Sequence, residues 1–135
     1  MKLLLMVTAV LEGLVGLALL LIPGIFVPLL LNGPLDTAAA IVVARLTGVA
    51  LISLAIACWQ SRDSKSERTV HGLVAGLTFY NFGAAAVLVY GGLRLGLQSP
   101  VMWPAMVAHA ALGVWCLAAI RRDGRKTAAS EQAAT

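Results

Sequence analysis

The stretch Leu3-Leu4-Leu5-Met6-Val7-Thr8-Ala9-Val10-Leu11-Glu12-Gly13-Leu14-Val15-Gly16-Leu17-Ala18-Leu19-Leu20-Leu21-Ile22 carries polar side chains at Thr8 and Glu12 alone. At 1.5 Å of rise per residue such a run makes a helix of about 30 Å, the thickness of a bilayer hydrocarbon core. Lys2 ahead of it imitates the charged start of a signal peptide. The apolar run, however, continues to Ile22 without a small-residue cleavage site and a polar region behind it, which predicts an uncleaved first span.

Outward from this span, Pro23 and Pro28 interrupt a segment that is still apolar, so residues 23–31 are expected as an interfacial or re-entrant extension. Asn32-Gly33-Pro34 signals a turn, and Asp36-Thr37 offers a helix N-cap. Further spans are expected over about 38–60, 69–93 and 100–120, with Pro104 in the first turn of the last, where a missing N–H costs little. The expected fold is all-α: an up-down four-helix transmembrane bundle over residues 1–126, followed by a short disordered tail, 127–135.

Composition agrees. Apolar residues make up 60% of the 135, charged residues only 12%, and the mean hydropathy is +0.91, well beyond soluble folds. The charges gather in loops and ends. Lys2, Arg62, Lys65, Arg68, Arg121, Arg122, Arg125 and Lys126 fall on one side of the four spans, against Arg94 on the other. The positive-inside rule therefore predicts a multi-pass inner-membrane protein with both termini cytoplasmic. Trp59 and Trp115 fall near the inner interface, and Phe26, Tyr90 and Trp103 near the outer one, as interfacial anchors do. Basic residues beside apolar spans suit anionic headgroups, so the expected partners are the bilayer and a second copy or another membrane protein, and not nucleic acid.

An ionisable group inside a span is costly and hence a candidate site. Glu12, Arg45 and His109 lie in spans one, two and four, and span three contributes Asn81 beside Tyr80. Entering from the cytoplasm, Glu12 and Asn81 lie about 14 and 17 Å deep, and entering from outside, Arg45 and His109 lie about 10 and 13 Å deep, which puts all four in one layer slightly outside the midplane of a core of about 30 Å. The expectation is a buried polar cluster of Glu12, Arg45, Asn81, His109 and Tyr80, with Glu12 and Arg45 paired across the first hairpin. Thr8, Glu12 and Gly16 recur at four-residue spacing, and Ile41, Arg45, Gly48 and Ile52 form the expected facing stripe. Gly72, Gly76 and Gly83 line a second close-packing stripe, opposite Asn81, suited to another helix or protomer.

Other residues read as packing. Cys58 and Cys116 have no CxxC or metal spacing and are expected as small buried residues. His71 stands at the start of span three, too far in depth from His109 for two axial ligands on one haem, and is expected at the interface. Neither a metal nor another cofactor is expected.

Three functions compete. The first is a non-enzymatic accessory or scaffold subunit. The second is a small proton- or ion-coupled transporter: Val10-Leu11-Glu12-Gly13 resembles the setting of the substrate- and proton-binding glutamate of small multidrug resistance transporters, which also have four spans. This chain departs from them in lacking their aromatic-rich spans and in its one-sided charge. The third, a quinone-linked redox protein, needs a reactive cysteine pair on the oxidising side, and both cysteines lie near the other. In layout, residues 14–31 with their two prolines, Asn32-Gly33-Pro34-Leu35-Asp36-Thr37 and Ala44-Arg45-Leu46-Thr47-Gly48 resemble small bacterial four-span proteins of unassigned activity, distantly the DoxX group. That resemblance implies a membrane family and assigns no functional residue.

Overall fold

The computed structural model describes residues 1–133, with side chains through Arg125. Among these residues the chain forms five helices and no strand: α1 (Lys2–Leu21), α2 (Pro23–Leu31), α3 (Ala38–Ser61), α4 (Glu67–Arg94) and α5 (Met102–Ala133). Four of them, α1, α3, α4 and the Met102–Arg125 part of α5, are long and apolar enough to cross a membrane.

The breaks have local causes. Ile22 leaves helical geometry at φ −131°, ψ 47°, and Pro23 takes the first position of α2, where its missing N–H is harmless. Asn32 ends α2 in the left-handed region at φ 52°, a conformation asparagine tolerates. The expected extension is thus a short helix of nine residues. Thr37 caps α3 by accepting from the Ala40 N–H at 3.1 Å, and Ser66 caps α4 through the Thr69 N–H. The chain then turns through Gly96 at φ 68°, where a side chain would be strained.

At the C-terminus the helix departs from expectation. α5 runs on to Ala133, through most of the segment expected to be a disordered tail, because Ala-rich sequence without proline favours helix even when it is polar. Ala134 and Thr135 of that expected tail lie outside the described residues.

The helices assemble as two antiparallel hairpins, α1 against α3 and α4 against α5. In the first, Gly16 and Gly48 meet backbone to backbone: a Cβ on Gly48 would stand 2.7 Å from the Gly16 carbonyl oxygen. In the second, Gly113 receives the Phe82 ring, and Gly92 receives Met102 and Trp103. Small residues permit such close approach where lipid offers little hydrophobic drive for helix association. Gly72, Gly76 and Gly83 do not serve this purpose within the chain, since a Cβ on any of them would meet nothing within 4 Å.

The hairpins join at the end that carries the termini. There Leu4, Leu5, Ala9, Cys58, Val70, Val74, Leu77, Leu112 and Cys116 from all four spans form one buried cluster. Ion pairs lace the rim, Lys2 to Asp63 at 2.6 Å and Arg62 to Asp63 at 3.2 Å, and the His71 ring faces the Asp123 carboxyl at 3.7 Å. The Arg62 guanidinium also lies 4.0 Å over the Trp59 ring, an exposed aromatic as expected of an interfacial anchor.

Candidate functional site

Toward the other end the hairpins separate around a cleft of about 710 Å³. All five helices line it, with Val15, Leu19, Phe26, Leu30, Leu51, Val87 and Leu88 among its apolar walls. Phe26, expected as an outer anchor, is half-buried and faces this space. Tyr80, His109 and Thr47 are the polar side chains that reach it.

The end of the cleft nearer the shared core is closed by the polar layer. Glu12 is 3% exposed, and its Oε2 accepts a hydrogen bond from the Tyr80 hydroxyl at 3.0 Å. This bond crosses from α1 to α4, one hairpin to the other. Next to Tyr80, the fully buried Asn81 donates from Nδ2 to the Leu77 carbonyl at 2.8 Å and meets His109 Nδ1 through Oδ1 at 3.1 Å. The Tyr80 and His109 rings stand edge to face, centroids 5.7 Å apart, a favourable aromatic geometry. Four of the five residues expected in the layer therefore come together.

Arg45 does not. It is exposed on α3, and among the described residues no ion pair joins it to Glu12 or to any other group. The buried stripe of α3 is Ala44, Gly48, Leu51, Ala55 and Cys58, so Arg45 lies about 100° round from Ala44. Backbone contact at Gly16 and Gly48 leaves no room for a guanidinium between α1 and α3. Arg45 sits about 10 Å along its span, near enough to the helix start for its head to snorkel to the interface.

The sequence reading gave no polar role to two residues of this region. Ser99, 6% exposed, donates from Oγ to the Leu30 carbonyl at 2.7 Å, tying the turn before α5 to α2 at the far end of the cleft. It also accepts from the Val101 and Met102 N–H groups as the α5 cap; the Ser-Pro step before an apolar run was its only signal. Thr8, read as part of a thin face, is fully buried and its Oγ1 has no partner among the described residues. The Thr47 hydroxyl, by contrast, is satisfied within its own helix by the Val43 carbonyl at 2.9 Å.

No family model, curated protein or solved structure matches the chain.

Proposed function

We propose that this chain is a non-enzymatic accessory or scaffold subunit of a bacterial inner membrane, with both termini in the cytoplasm, assembled with a second copy or another membrane protein. What carries the reading is that the intramembrane polar groups are engaged in holding helices together: Tyr80 with Glu12 between hairpins, and Asn81 with His109 between α4 and α5. The open faces at Gly72 and Gly76 and the exposed Arg45, which has no ion pair among the described residues, supply surface for a neighbouring chain. The layout shared with the DoxX group fits this setting. Extraction of native membranes into polymer-bounded discs, followed by native mass spectrometry, should find the chain in an assembly heavier than its own 14.0 kDa. Recovery of the single chain alone overturns the reading. Labelling of Ser64→Cys only from the cytoplasmic side, and of Leu97→Cys only from the opposite side, checks the orientation.

A second reading, a small proton-coupled carrier, draws on one observation. A buried carboxylate, bonded to the Tyr80 that lines the cleft, stands between two hairpins whose larger shared core lies at their other end, a geometry in which hairpins can rock. In vesicles holding a pH-sensitive dye, proton entry driven by a potassium diffusion potential and lost in Glu12→Gln would establish it. Wild-type protein indistinguishable from empty vesicles removes it.

A further inference from the structure

We propose that the cleft binds a hydroxyl-bearing apolar molecule, a phenol or alcohol with a hydrocarbon body, whose O–H donates to His109. The proposal follows from hydrogen-bond bookkeeping. Asn81 Nδ2 donates to a backbone carbonyl, which can only accept, and this fixes Oδ1 as the atom facing His109. An amide oxygen also only accepts, so His109 Nδ1 carries the proton of that bond. In a neutral imidazole the other nitrogen, Nε2, then holds a lone pair. His109 lines the cleft, and Nε2 has no partner among the described residues. The Tyr80 hydroxyl gives its proton to Glu12, so toward the cleft it too is an acceptor. The Thr47 hydroxyl gives its proton to the Val43 carbonyl, so the three polar side chains of the cleft offer acceptors and no donor, and the remaining walls are apolar.

Size and boundaries fit the same class. A volume of about 710 Å³ falls within the roughly 300–1,000 Å³ of small-molecule sites, which are apolar with a few placed polar groups. From His109 back to Val101, just ahead of α5, the lining extends about 12 Å, room for a short chain or a few rings. Hydrogen bonds tie the hairpins at both ends of this length, Tyr80 to Glu12 at one and Ser99 to Leu30 at the other. The site needs only the cleft, so it stands or falls separately from the scaffold reading.

The test uses full-length protein in lipid nanodiscs and a 4-alkylphenol with a diazirine in its tail. Competitors are 4-heptylphenol and its methyl ether, compared at equal concentration in the membrane. The phenol should displace the photolabel from α4 and α5 at about one-tenth the concentration the ether requires, the worth of one hydrogen bond. His109→Phe should abolish that difference. Gly83→Leu, where a side chain meets open space at the cleft, should abolish labelling while the protein folds, and Gly72→Leu, outside the cleft, should leave it unchanged. Equal competition by phenol and ether, labelling that does not saturate as expected of ordinary acyl chains, or label confined to the Gly72 and Gly76 face overturns the proposal; the first two need no variant.

Discussion

The end of the bundle that carries the termini and the end that carries α2 are built from the same helices and behave as different materials. At the first, leucines, valines, two cysteines and Ala9 from four spans form one buried cluster, and ion pairs at Asp63 lie on its rim. At the second, a smaller cluster of Leu19, Ala44 and Leu51, with Phe26 and Tyr80 against it, sits beside the cleft that opens between the hairpins. The difference lies in what each helix turns inward. Leu77 of α4 is fully buried in the shared core, whereas Phe79, two residues on, is 83% exposed at the cleft. The tight half rests on a larger apolar cluster from all four spans, whereas the half with the cleft combines a smaller one with hydrogen bonds from Tyr80 to Glu12 and from Ser99 to Leu30. Stability and a binding space are thereby assigned to opposite ends of one small protein.

Substitutions should break this contrast unequally. The largest effect is expected for Leu77→Ala, which leaves a cavity in the shared core and should cost about 3 kcal/mol, against less than about 1 kcal/mol for the half-buried Leu88→Ala beside the cleft. Thermal unfolding of both variants in one detergent measures the difference, and equal losses would mean that the two halves are packed alike. Next comes Tyr80→Phe, which removes the donor to a buried carboxylate and should cost about 2 kcal/mol. Pairing it with Glu12→Leu should recover much of that loss, a coupling readable in a double-mutant cycle.

Glycine substitutions should change sign along the chain. Gly48→Ala forces a methyl group against the Gly16 and Leu20 backbone and should destabilise by about 1–3 kcal/mol. Gly83→Ala enters open space and should gain up to about 1 kcal/mol from helix propensity. The smallest effect belongs to Asp63. Its bond to Lys2, with Arg62 beside it, holds the exposed carboxyl below its ordinary range. A carboxylate with a lowered folded-state pKa adds stability above its unfolded pKa, and that contribution disappears as pH falls through the folded value. Wild type should therefore slightly outlast Asp63→Asn in melts at pH 7, and the gap should close as the pH falls below the ordinary aspartate value and through the lowered folded one; a gap that persists once the carboxyl is protonated would assign it to packing instead.

Much of this was legible in the residues. Runs of apolar residues about 20 long, Pro23 and Pro28, and the Thr37 cap located the helices to within a few positions. Depth along each span located Glu12, Asn81, Tyr80 and His109 in one layer. Arg45 matched that layer in depth and failed in rotation: one residue earlier, Ala44 turns inward. The glycine stripe at 72, 76 and 83 has the spacing of a contact face, yet the close contacts fall on Gly16, Gly48, Gly92 and Gly113, because spacing on one helix does not name the helix that approaches it. The cleft left no trace in the sequence, since its walls are apolar residues like those of the core.

By itself, then, the amino-acid order determined how many helices can cross lipid and how deep each polar group lies, because hydrophobicity and a rise of about 1.5 Å per residue act along one chain at a time. Only the tertiary structure decided which groups meet. Each residue turns the side chain by about 100°, so a helix rotated by one position exchanges a buried partner for an exposed one. That rotation is set by where two backbones can touch, at Gly16 and Gly48, which put Arg45 outside and left Glu12 to Tyr80.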